Sequence, residues 1–94
     1  MAIVSTLEFS SVTRQQYEQL GATLAPSGAP AGIIFHSCGA VPQGWRIIDV
    51  WESEEAFSRF VDERLLPAVR ALGWPEPRRA CFEAHHAGMV GRGA

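Results

Sequence analysis

The chain has 94 residues, 47% hydrophobic and 19% charged, with ten acids, eight bases and a formal charge of −2. That length fits one domain, and a domain so small buries only roughly 60–65% of its unfolded surface, so pairing with a second copy would relieve a shortage of burial. The composition excludes a disordered or fibrous chain. The bases are scattered rather than striped, which argues against nucleic acid and anionic membranes as partners.

No apolar run approaches the ~20 residues of a membrane helix, and the Met1 end lacks a charged segment leading into a long apolar core, so a cytoplasmic protein is expected. Cys38 and Cys81 stand too far apart for a CxxC motif or a paired zinc site, and free thiols are expected. All eight basic residues are arginine, and neither lysine nor asparagine occurs. Schiff-base chemistry on a lysine and any step needing an asparagine are thereby excluded.

In chain order, Ile3 to Phe9 hold β-branched and aromatic residues without a breaker and predict a first strand. Thr13 with Gln16 three residues on forms a capping-box pattern, and Tyr17, Leu20, Gly21 and Leu24 recur at helical spacing until Pro26. Gly32 to Ala40 and Trp45 to Glu52 read as two strands. Val41-Pro42-Gln43-Gly44 between them has the proline and glycine placement of a type I turn, so they form a hairpin.

Ser53 caps the next helix, whose first turn carries Glu54 and Glu55 where the helix dipole favours acids. Phe57, Phe60, Val61, Leu65, Ala68 and Leu72 line its inward face. Pro67, with no amide hydrogen, should kink or restart it near Leu65. Arg78 to His86 supply the last strand, and the glycine-rich residues 88–94 a flexible tail. The order β-α-β-β-α-β predicts an α+β, ferredoxin-like domain over residues 1–87: a four-stranded antiparallel sheet with its helices on one face.

Pairing Val41 with Gly44 sets the hairpin register and sorts its side chains by face. One face holds Ile33, Phe35, Ile48 and Val50, all apolar, and is assigned to the helices. The other sets Ile34 opposite Trp51, His36 opposite Asp49, Cys38 opposite Ile47 and Ala40 opposite Trp45. This mixture of apolar walls with one acid and one imidazole suits a ligand cavity. On the last strand, Phe82 and Ala84 are assigned to the helices and Cys81, Glu83 and His85 to the cavity. On the first, Ile3, Leu7 and Phe9 face the helices, leaving Val4, Thr6 and Glu8 for the cavity.

The order of elements, the segment Gly32-Ile33-Ile34-Phe35-His36, and above all Gly44-Trp45-Arg46-Ile47-Ile48-Asp49-Val50-Trp51-Glu52-Ser53 with Phe57, Phe60, Leu65 and Pro67, resemble a small bacterial group within the dimeric α/β-barrel superfamily. The resemblance spans residues 1 to about 87 and implies a homodimer. That superfamily includes cofactor-free antibiotic-biosynthesis monooxygenases, polyketide cyclases, lactone isomerases and haem-degrading enzymes, among which fold does not choose. The haem-degrading branch uses a helix-borne histidine and an asparagine, whereas the histidines here fall on predicted strands. A cyclase pairs a histidine with a tyrosine in its cavity. The single tyrosine, Tyr17, lies on the buried stripe of the first helix, so only the histidine carries over.

The candidate catalytic residues are His36, Asp49 and His85, and the candidate substrate-binding residues Thr6, Ile34, Cys38, Trp45, Ile47, Trp51 and Glu83. A carboxylate beside an imidazole fixes its tautomer and stabilises its charged form, which suits general acid–base work. No cofactor is expected, and no metal, because the second and last predicted strands are the edge strands of this fold, roughly 14 Å apart at ~4.8 Å per strand, too far for His36, His85 and Glu83 to share an ion within one chain. The expected function is a cofactor-independent enzyme of specialised metabolism acting on an apolar, aromatic or polyketide-like ligand by cyclisation or isomerisation, with oxygenation as a third course. The alternative is a non-catalytic small-molecule-binding or stress-response module.

Overall fold

The computed structural model describes residues 1–91; residues 92–94, the end of the predicted tail, lie outside the described residues. The elements follow the predicted order: β1 (Ile3–Ser10), α1 (Arg14–Leu24), β2 (Ile33–Val41), β3 (Gly44–Trp51), α2 (Glu54–Phe60), α3 (Leu66–Ala71) and β4 (Arg78–Glu83). The strands form one antiparallel sheet in the order β2-β3-β1-β4, an α+β ferredoxin-like arrangement. Among the described residues no helix is long and apolar enough to cross a membrane.

Local chemistry sets the boundaries. Thr13 and Gln16 make both halves of the capping box at the start of α1, and the Ser53 hydroxyl accepts from the Ala56 amide at the start of α2. Gly44 has φ 155°, and a Cβ there would collide with the Phe9 carbonyl, so this close approach of the hairpin to β1 requires glycine. β4 stops at Glu83, short of the predicted His86. Glu83 pairs with Ile3, the first residue of β1, and after the Ala84 amide donates to Ala2 at 2.9 Å there is no more strand to pair with.

Pro67 acts upstream of itself. Its missing amide leaves the Glu63 carbonyl without an α-helical donor. The chain widens into a π-helical turn over Val61–Leu65, in which the Leu66 amide reaches back to Val61, and α3 restarts with proline in its first turn. Helical direction is thus kept through the proline.

On β1 the helices cover Ile3, Leu7 and Phe9 as assigned from sequence, but on the β2–β3 hairpin they cover the face opposite to the one assigned, Ile33 at the bulge excepted. Trp45, Ile47, Asp49 and Trp51 of β3 are buried beneath them with Ile3, Ser5, Leu7 and Phe9 of β1. Trp51 is wholly buried, its ring centroid 5.8 Å from Phe57 and 5.5 Å from Phe60, and its indole nitrogen donates to the Ser5 hydroxyl at 3.0 Å. Phe35 and Phe82, assigned to the helices, lie on the open face and are 53% and 61% exposed; Ile48 and Val50 share that face. Apolarity misled the assignment, because Phe35, Ile48 and Val50 lie on the open face, which also carries the paired charges of Glu8, Arg46 and Arg78. The indoles filled the helix–sheet space, and the polar residues among them found partners.

Ile34 is the one register error. His36, Cys38 and Ala40 pair with Asp49, Ile47 and Trp45 as predicted, but a bulge between Ile33 and Phe35 sets Ile33, not Ile34, against Trp51. Ile34 is left unpaired and 57% exposed. On the open face, Glu8 of the central β1 holds both neighbouring strands, accepting from Arg46 at 2.7 Å and Arg78 at 2.9 Å, and these bonds hold its carboxyl below its usual range.

Phe57 is the deepest aromatic of the helical stripe. Phe57→Ala should cost about 3–5 kcal/mol in chemical denaturation, and Phe60→Ala, whose ring is half-buried at a cavity wall, distinctly less. Equal losses would show that the helix is rotated from the packing described.

Candidate active site

A chain of hydrogen bonds runs from Asp49, buried under the helices, through the half-exposed His36 to the partly buried Tyr17. Asp49 sits at the middle of β3 with its side chain 5% exposed, and its Oδ1 accepts from His36 Nδ1 at 2.8 Å and from the Ser37 amide at 3.3 Å. The far ring nitrogen, His36 Nε2, lies 3.0 Å from the Tyr17 hydroxyl. These two partners specify the tautomer. Nδ1–H donates to the carboxylate, and Nε2 accepts from the phenol.

Each side chain is placed by a separate device. Cross-strand pairing sets His36 beside Asp49. Tyr17 lies one turn before Leu20 on the buried stripe of α1, and its ring stacks on Trp45 with centroids 4.9 Å apart and planes 22° from parallel. Burial raises the Asp49 carboxyl, while the hydrogen bond and charge of His36 and the Ser37 amide pull it back. Burial foremost, then the neighbouring Cys38, holds the Tyr17 phenol protonated far above its ordinary value. The group is thus an acceptor imidazole with a carboxylate behind it and a protonated phenol in front.

This group opens on a cavity of about 320 Å³ between the sheet and the helices, at the lower end of the range for small-molecule sites. Leu7, Leu20, Ile47, Trp51 and Phe60 make its apolar walls, and Arg64 reaches it from the π-helical turn. The chain after α1, with Gly28, Ala29 and Pro30, forms the remaining side.

The cavity is formed within the single chain, under the helices, rather than on the open face where it was expected. His36, Asp49, Ile47 and Trp51 all line it, because the hairpin register held from His36 to Val41 and the face they share is the one under the helices. Trp45 stands behind Tyr17 as its stacking partner. Cys38 borders Tyr17 but is exposed on the edge strand. The structure does not bring the others here. Thr6 follows the open-face parity of β1, and Ile34 is displaced by the bulge. Glu83 is exposed on the opposite edge strand, and His85 is exposed beyond the end of β4.

Tyr17, Phe60 and Arg64 were not among the residues expected at the site. Tyr17 had been set aside because it lies on the buried stripe of α1, yet that stripe is what carries its hydroxyl to His36. An arginine at a stripe position, seven residues after Phe57, was the available signal for Arg64.

No family model matches the sequence, and no curated protein matches it. Among solved structures the chain is similar to SnoaB, a cofactor-independent oxygenase from Streptomyces nogalater, at 20% identity and a TM-score of 0.61, covering 92% of this chain and 93% of SnoaB. It is also similar to a dimeric ferredoxin-like protein of unknown function from Thermobifida fusca, at 18% identity and a TM-score of 0.61, covering 89% and 92% of the two chains. A Chloroflexus aurantiacus protein, described provisionally as an antibiotic biosynthesis monooxygenase, matches at 14% identity and a TM-score of 0.64, covering 97% of this chain and all of that one. At such identities the likeness establishes the fold alone, an α+β ferredoxin-like fold.

A carboxyl whose folded-state pKa is raised contributes stability that is present below its unfolded value and lost as pH rises through the folded value. Asp49 is such a group, since burial raises its carboxyl above the ordinary carboxylate range. Asp49→Asn removes the titration, and the amide oxygen can still accept from His36 and Ser37. The variant should unfold at pH 7 within ~1 kcal/mol of the parent or later, and should lack the decline in stability that Asp49 contributes as pH rises above its unfolded value. Urea titrations across that pH range check this, and a loss of ~3 kcal/mol would mean that the charge itself holds the core.

Proposed function

We propose that the protein is a small cofactor-independent enzyme that moves a proton on an aromatic or polyketide-like substrate, in a cyclisation or isomerisation. The observation that carries this reading is the chain Tyr17–His36–Asp49 at the wall of an apolar cavity. When substrate enters, the Tyr17 hydroxyl turns from His36 Nε2 to the substrate carbonyl oxygen, and the freed Nε2 lone pair takes a proton from the carbon made acidic by that carbonyl. Asp49 stabilises the imidazolium that results, and Tyr17 donates a hydrogen bond to the oxygen on which the enolate charge develops. The imidazolium then returns its proton to the rearranged carbon framework. Burial of the phenol supports this division of labour, since a group kept protonated can donate but cannot serve as the base.

Oxygenation fits the same opening step if the carbanion is electron-rich enough to react with dioxygen, and SnoaB, of similar fold, is described as a cofactor-independent oxygenase. Proton transfer is common to both courses. It is the part the residues speak to.

The working form is a homodimer joined through the open sheet faces. Phe35, Ile48, Val50 and Phe82 leave an apolar patch of the kind monomers seldom expose, and a similar fold from Thermobifida fusca is described as dimeric. Each copy keeps its own cavity, on the far side of its sheet from the partner.

His36→Ala should lower turnover by ~10²–10⁴-fold while sparing the dimer, and Tyr17→Phe should lower it with little change in ligand affinity. Steady-state assays on a substrate found by screening aromatic and linear polyketide compounds make the comparison. Near-full turnover by His36→Ala would sink the acid–base reading in favour of a binding module. Light scattering should give twice the 10.3 kDa chain mass. Phe35→Asp should give the monomer, and a parent protein that is monomeric at micromolar concentration would refute the shared face.

A further inference from the structure

Arg64 occupies a position where the helix pattern calls for an apolar side chain. It lies on the inward stripe with Phe60, Val61 and Leu65, in the π-helical turn before Pro67, and it lines the cavity. Such turns, where they interrupt α-helices, are frequent at functional sites. The guanidinium lies over the Phe60 ring, 5.4 Å from its centroid. Its Nη2 donates to the carbonyls of Leu24 at 3.1 Å and Gly28 at 2.9 Å, which fixes the head against the chain leaving α1.

The charge of this group is unanswered. Among the described residues no carboxylate lies within 4.0 Å of it, and its Nε is shielded from water with no acceptor. The acids nearby are committed or turned away: Asp49 is taken by His36, Asp62 by Arg79, and Glu63 is exposed. A half-buried guanidinium beside apolar walls, anchored through Nη2 and lacking a counter-ion, is suited to a ligand anion, which its Nη1, without a partner among the described residues, can meet with a charge-assisted hydrogen bond.

We propose that Arg64 recognises a carboxylate on the ligand, so that the cavity takes an aromatic or polyketide-derived acid rather than a neutral compound. This rests on the small-molecule reading of the cavity above but not on its proton chemistry. The apolar walls hold the rings, Arg64 holds the acid, and the Phe60 face behind the guanidinium keeps its plane fixed.

Isothermal titration calorimetry at pH 7 with 2-naphthoate and its neutral isostere 2-naphthamide tests this directly. The parent protein should bind the acid about tenfold tighter or more, a preference that needs no variant to observe. Arg64→Gln should erase the preference while keeping amide affinity, and Arg64→Lys should keep part of it. His36→Ala should leave the preference in place, so a loss of turnover and a loss of acid recognition are read separately. Equal binding of the two probes by the parent would overturn the inference while leaving the proton chemistry of His36 standing. A preference that survives in a folded Arg64→Gln would also overturn it, as would failure of the parent to bind either probe.

Discussion

A carboxylate placed on the central part of a sheet, beneath a layer of helices, needs partners within hydrogen-bond reach, and much of this molecule is arranged around that demand. Asp49 is such a carboxylate, and His36 and Ser37 on the neighbouring strand answer it. Once the imidazole is turned toward Asp49, its other nitrogen must face α1. There Tyr17 meets it, itself braced by Trp45. A requirement of burial therefore produces, in sequence, a fixed tautomer, an oriented phenol and a polar wall on an otherwise apolar cavity.

The sheet serves two interfaces with different chemistry. Beneath the helices, indoles and a few paired polar groups fill an irregular space and leave a hollow at its edge. The opposite face combines plain apolar side chains with the Glu8 ion pairs that link β3, β1 and β4. A face whose side chains are apolar or paired among themselves suits contact with a flat surface of the same kind, because it leaves few polar groups to satisfy. A mixed face suits a cavity, whose polar groups can be answered by neighbours and by ligand.

The helical layer shows how one residue shapes a site at a distance. Pro67 contributes no donor, so the turn before it widens, and that turn carries both Leu65 of the core and Arg64 of the cavity. Arg64 places a cation against the loop after α1, tying the two helical segments together across the mouth of the hollow.

Local chemistry in the sequence determined the order of elements, the Thr13 and Ser53 caps, the tight hairpin at Pro42 and most of its register, because these depend on contacts between near neighbours. The pairing of His36 with Asp49 was legible for the same reason, being a consequence of one turn. Which face the helices would cover was not legible. Both faces of the hairpin carry enough apolar surface, and the choice rests on how Trp45 and Trp51 fit against Phe57, Phe60 and Tyr17, contacts between residues distant in sequence. The bulge at Ile34, the shortened β4 and the recruitment of Tyr17 and Arg64 also depended on tertiary packing. A helical stripe tells which side chains turn inward, but only the assembled layers decide whether they meet a core or a cavity.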